Sequence, residues 1–278
     1  DAGEPRPPYV AWDLTSEPPR WGGGTGRDTV HAWSDEGGSG AGFARVWTLA
    51  AGESRTVRVV LPAYPTRERE LHRFAARTHH ACAARVRRAW RRELKRGATF
   101  ALNDAEVEYA LRAATVVLLS LRERRGERWV PIGGPFQYRD VWLRDGARAI
   151  AALAVAGHTR VARELADGFL LLQWPNGAFL SQRGQLDGSG QALWAFEQAW
   201  LRPPDAGREL ARFAGAASAA ARWYMLQREL GLRLEGNFPR MLPFAEPRDG
   251  ELTRAQLAGN DAWGIAGLRS TARLLAAA

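Results

Sequence analysis

Asp145-Gly-Ala-Arg-Ala-Ile-Ala-Ala-Leu-Ala-Val-Ala-Gly-His-Thr-Arg-Val-Ala-Arg-Glu-Leu-Ala-Asp-Gly-Phe-Leu-Leu-Leu172 divides at Ala156-Gly157-His158 into two apolar helical runs, 145–156 and 159–172. A turn this short makes the two helices antiparallel neighbours, and a hairpin that cannot bury its own apolar faces must stack on others. The same arrangement recurs on both sides. Upstream, Asn103-Asp-Ala-Glu reads as an N-cap with an acidic first turn, opening a helix over 104–122. Downstream, helices over 190–201 and 206–230 flank Arg202-Pro203-Pro204-Asp205, and a last helix covers 261–277. No strand alternates with these helices. The sequence therefore predicts a mainly α fold of repeated helical hairpins, stacked either as an open solenoid or as a closed (α/α) toroid.

The first 65 residues are different. They are rich in Gly and Pro, and the β-forming runs Phe43-Ala-Arg-Val-Trp-Thr-Leu49 and Arg55-Thr-Val-Arg-Val-Val-Leu61 flank the turn Ala51-Gly52-Glu53. One hairpin does not stand alone in water, so 1–65 reads as the end of an antiparallel β-sandwich with strands before residue 1. Residues 66–102 form a linker, a long helix or helix pair, which leaves 103–278 as the hairpin domain. Ala276-Ala-Ala278 lies inside a helix without a C-cap, and the expectation is an incomplete barrel.

A hydrophobic content of 46% with 12 Trp in 278 residues excludes a disordered chain. The net charge of +9 comes almost wholly from Arg, since Lys95 is the one lysine, and the Arg residues are scattered among Ala and Leu. That distribution argues against nucleic acid as a partner; the cluster Arg85, Arg87, Arg88, Arg91, Arg92, Lys95 and Arg96 reads as a solvated helix face. Cys82 is the single cysteine, in an Ala-rich setting that suggests a small buried side chain rather than a nucleophile. The five histidines fit no metal-ligand spacing, and no cofactor or metal is expected. No run reaches about 18 apolar residues, so no membrane span is expected. A lone cysteine suits either compartment, with the bacterial cytoplasm slightly favoured over export.

Chemistry concentrates in the three loops that lead into helices. The first, Gly133 to Ala147, carries Tyr138, Trp142, Arg144 and Asp145: two flat aromatic faces, a forked donor and a carboxylate. Sugar rings stack their C–H faces on aromatics and take paired hydrogen bonds from planar charged groups, so this set fits a sugar. The alternative is an Asp145 that caps its helix and pairs with Arg144. The second loop, Gln173 to Gln191, places Gln185 and Asp187 beside glycines that permit close approach of backbone to a ligand. Here Asp187-Gly-Ser-Gly is equally an ordinary turn with an N-cap. The third, Gly259-Asn-Asp-Ala-Trp-Gly-Ile-Ala-Gly-Leu268, again sets Asp261 and Trp263 at a helix entrance, where Asp261 could cap with Asn260. All three loops are expected to gather at one end of the array.

Trp142-Leu-Arg-Asp145 within Tyr138–Ala147, followed by an Ala-rich helix, resembles the aromatic-x-Trp-x-Arg-Asp segment of the glucoamylase family of glycoside hydrolases, within the six-hairpin glycosidase superfamily. Gln185-Leu-Asp-Gly-Ser-Gly-Gln-Ala-Leu193 is similar to that family's second segment, and the resemblance spans about residues 40–278. It implies a partial α/α six-barrel behind a β-sandwich, an oligosaccharide or polysaccharide substrate, and Tyr138, Trp142, Arg144, Asp145, Gln185, Asp187 and Trp263 as substrate-binding residues. The third loop resembles the family's Asp-x-Trp-Glu segment, whose Glu is the general acid, but here that position is Gly264. Asp261 becomes the substitute candidate for the acid, with Glu251 and Asp249 behind it.

Inverting hydrolysis needs a protonated carboxyl and an ionised carboxylate about 6.5–9.5 Å apart. The resemblance puts the base in the last hairpin, beyond residue 278. The expected activity is acid/base cleavage at the non-reducing end of an α-glucan or related oligosaccharide. The alternatives are phosphorolysis on the same scaffold, a non-catalytic sugar-binding module, and an open solenoid that binds protein or nucleic acid.

Overall fold

The computed structural model describes residues 11–13, 20–22, 28–35, 38–45, 50–54, 67–135, 137–182, 184–200, 207–234, 238–245 and 254–278. These residues are mainly helical, with eight α-helices among them, and the chain divides into two compact units, Asp1–Arg88 and Ala89–Ala278.

In the first unit β1 (Ala11–Asp13) pairs antiparallel with β2 (Arg20–Gly22), and β3 (Asp28–Asp35) with β4 (Gly38–Arg45). Val30 stands opposite Phe43 and Trp33 opposite Gly40. The expected strand over 55–61 lies outside the described residues, as do Val46–Leu49 of the run that begins at Phe43. A helix pair follows, α1 (Glu68–Ala75) and α2 (His79–Leu94), with Thr78 Oγ1 accepting from the Ala81 amide at 3.2 Å to start the second. No residue of α2 is fully buried. Cys82 is accordingly half-buried, not the buried side chain its Ala-rich setting suggests.

The second unit holds the hairpins. Asp104 caps α3 (Ala105–Ser120), its carboxylate accepting from the Glu106 and Val107 amides at 2.9 and 3.1 Å. The chain then forms an antiparallel pair that the sequence reading passed over, β5 (Arg122–Arg125) with β6 (Arg128–Pro131). Arg-Glu-Arg-Arg carries no β-branched residue, so only Gly126 at φ +59° marks this turn. α4 (Leu143–Val155) and α5 (Thr159–Phe169) make the hairpin around Gly157, whose φ of +78° closes the turn. A 3-10 turn, Leu170–Leu172, follows, then α6 (Gly188–Trp200), α7 (Gly207–Arg233) and α8 (Ala258–Ala277). The link over 201–206 lies outside the described residues.

Alternate helices form one row: α6 packs between α4 and α8, while α5 lies against α4 and α6, and α7 against α6 and α8. A central helix is covered on nearly every side, and α6 is: Ala192, Leu193, Ala195, Phe196, Ala199 and Trp200 are all buried. Phe196 sits between Phe179 at 5.5 Å and Phe213 at 5.0 Å, and Trp200 meets Phe213 at 4.6 Å between ring centroids. Each such ring contributes about 1.5–3 kcal/mol by leaving water. Beyond this ladder Glu197 of α6, itself buried, takes Arg273 Nη2 of α8 at 2.8 Å and the Ser270 hydroxyl.

Candidate functional site

The site begins where α6 and α8 cross without side chains between them. A Cβ on Gly190 would lie 2.2 Å from the Trp263 carbonyl oxygen, and one on Gly267 would lie 2.7 Å from Gly190 Cα. Only glycine allows this approach, and it draws the first turn of α6 against the second and third turns of α8. Gly188, in turn, presses its Cα against the Phe179 carbonyl, where a Cβ would sit 2.7 Å away. The glycines around Asp187 therefore serve chain-to-chain packing. The expectation that they admit a ligand to the backbone is corrected.

Arg144, in the first turn of α4, reaches across to Asp187 at the start of α6, with Nη2 3.1 Å from Oδ2. The same oxygen receives Gln191 Nε2 at 2.6 Å, one helical turn on. Asp187 is 4% exposed, so a buried carboxylate is matched by a guanidinium whose side chain is 39% exposed. The sequence alternative, Arg144 spent on a capping Asp145, does not describe this geometry. Trp142 occupies the N-cap position of α4 without a side-chain cap bond, and Asp145 stands exposed inside the first turn. Gln185 is buried too, its Oε1 accepting from Ser181 Oγ at 3.3 Å, while Ser181 Oγ accepts from the Leu143 amide at 3.5 Å. The first and second loops are thus tied by side chains.

At the third loop, α8 starts earlier than the sequence predicts, with Leu257 as its N-cap. Asp261 lies in the first turn rather than capping it. Its Oδ1 accepts from the Leu242 amide at 3.1 Å, and its Oδ2 is buried with no hydrogen-bond partner. Trp263 is half-buried and meets Trp194 of α6 edge-on, with ring centroids 5.7 Å apart. Glu251 and Asp249 lie outside the described residues.

Tyr224 of α7 joins the second and third loops. It is 3% exposed, accepts from the Gly190 amide at 2.6 Å and donates to the Leu186 carbonyl at 3.2 Å. Burial pushes its phenol far above the ordinary tyrosine range; the Gly190 amide opposes this, and the Asp187 and Asp261 carboxylates add to it.

Arg144, Asp187, Gln185, Asp261 and Trp263 are therefore gathered around the entrances of α4, α6 and α8, with Trp142 and Asp145 at the α4 entrance. Tyr138 stands 65% exposed in the loop before α4. Sequence reading passed over Gln191, Ser181, Trp194 and Tyr224. Gln191 carried a signal, its spacing of four from Asp187, but nothing in the sequence points to Tyr224. A separate opening of about 340 Å³, lined by Leu234, Pro243, Phe244 and Arg254, shares none of these residues. Among the described residues no helix is long and apolar enough to cross a membrane. Compared with known proteins, the chain matches no family model, no curated protein and no solved structure.

Proposed function

We propose that the chain is a glycoside hydrolase-like protein that binds the non-reducing end of an α-glucan or related oligosaccharide and cleaves it with acid/base inversion. In this reading the stacked hairpins are part of an (α/α) toroid, and residues 1–65 are the end of a β-sandwich. The observation that carries the reading is the Arg144–Asp187 pair, held at the entrances of α4 and α6, with Trp142 and Trp263 at the α4 and α8 entrances. A partly exposed guanidinium can pair with sugar hydroxyls, and the aromatic faces supply stacking. Asp261 is the proton donor to the leaving oxygen. One carboxylate oxygen is held by the Leu242 amide, and the other is buried without a hydrogen-bond partner. The base that activates water is not assigned among the described residues.

A second reading, a sugar-binding module without turnover, draws on Gly264. The position that would bear the family's acid has the Tyr224 ring against it, 3.3 Å from where a Cβ would stand. Calorimetric titration of the full chain with maltotriose, with reducing-sugar release followed in parallel, separates the two. Binding with turnover that Asp261→Asn abolishes supports hydrolysis. Binding without turnover supports the module, and no binding by the full chain overturns both.

A further inference from the structure

We infer that Tyr224 is the positioning residue of this site, its hydroxyl clamping the Leu186–Gly190 turn that carries Asp187 while its ring fills the space over Gly264. The inference rests on the reading of the Arg144–Asp187 junction as a sugar site.

The hydroxyl has one proton and lone pairs to spare. It donates to the Leu186 carbonyl at 3.2 Å, with the Asp187 carbonyl at 3.5 Å, and accepts from the Gly190 amide at 2.6 Å. The two ends of one turn are therefore closed by a side chain from a different helix. Asp187 sits on that turn, and its carboxylate in turn holds Arg144 and Gln191. Tyr224 acts on the sugar-facing guanidinium through two links without touching it. The ring also borders Gly264: with Cε1, Cδ1 and Cζ at 3.3, 3.6 and 3.7 Å from a Cβ built there, a side chain at 264 would press on the Tyr224 ring.

The test is a double-mutant cycle on maltotriose affinity in the full chain, paired with amide exchange over residues 185–191. Tyr224→Phe removes the hydroxyl and leaves the Gly190 amide buried and unsatisfied. Affinity should fall about ten-fold, and exchange of the Gly190 amide should speed up by a similar factor. In an Asp187→Asn background the same change should cost less than about two-fold, because the route to the sugar is already cut. Gly264→Ala leaves every hydrogen-bonding group in place but pushes a methyl onto the ring, and should move affinity and exchange in the same directions. Equal losses with and without Asp187 overturn the positioning role, and unchanged exchange in both variants overturns the clamp. If exchange accelerates while the unmodified chain binds no maltotriose, the clamp stands and the sugar reading fails.

Discussion

Asp187 and Asp261 stand at the same kind of place, within a turn of a helix start in the row α4–α6–α8, yet their surroundings are opposite. Asp187 receives a guanidinium and an amide on one oxygen and is almost fully buried. Asp261 receives one backbone amide on Oδ1 and nothing on Oδ2. A carboxylate that ties a guanidinium and an amide together works as scaffold. One with a bare oxygen can accept and deliver a proton. In the function proposed above, the first junction binds and the second carries the chemistry.

The strongest way to break that comparison is to remove the proton from one side of it. Asp261→Asn should lower hydrolysis by about 10²–10⁴-fold while maltotriose affinity stays within about three-fold. Affinity lost together with turnover would mean that Asp261 binds rather than donates. At the other junction the order should invert. Arg144→Ala leaves the Asp187 carboxylate buried with Gln191 alone, and about 1–3 kcal/mol of stability should go with it, read as a lower denaturant midpoint at unchanged slope. Asp187→Asn should cost less, because Arg144 is partly exposed and turns to water. Equal losses would mean that the pair is not the asymmetric anchor its burial describes.

These two junctions were legible in the sequence to different degrees, and local encoding is the reason. The hairpin at Ala156-Gly157-His158 shows in periodicity and in a left-handed glycine, both local signals. Helix starts were read two or three residues late at Asp145 and Asp261, because Trp142 and Leu257, the true N-caps, have no side-chain cap bond. Arg144 finding Asp187 and Tyr224 finding Gly190 are contacts between residues 43 and 34 positions apart, and no local pattern encodes them. Gly190 itself was visible, but its purpose was not: a glycine at a helix start suits a ligand or another backbone equally well until the partner is seen.

Tyr224 sharpens the comparison from between the two carboxylates, through its response to alkali. Its phenol is raised in the folded chain, whereas the unfolded chain ionises it near pH 10. Above about pH 10 the unfolded state binds fewer protons than the folded state, so stability falls as pH rises, by about 1.4 kcal/mol per unit from this group. Below pH 10 the contribution is constant. Tyr224→Phe should flatten the alkaline slope of unfolding free energy by that amount. An unchanged slope would mean that water reaches the phenol, and with it the space between Asp187 and Asp261.

The smallest effect tests whether pH acts on the site at all or only on the scaffold. His158 closes the α4–α5 turn, at the far end of a 13-residue helix from Arg144, a distance of about 20 Å. Burial lowers its pKa below the ordinary value, with Glu93 raising it in part and Arg122 lowering it further. The unfolded chain therefore takes up the proton first. Stability is complete above about pH 6.5 and is lost as pH falls below it. His158→Gln should flatten that acid limb by less than about 1 kcal/mol, and maltotriose affinity between pH 5 and 7 should be the same with and without the histidine. An affinity that followed His158 would mean that α4 carries the strain of this turn to Arg144, and the junction could no longer be treated as rigid.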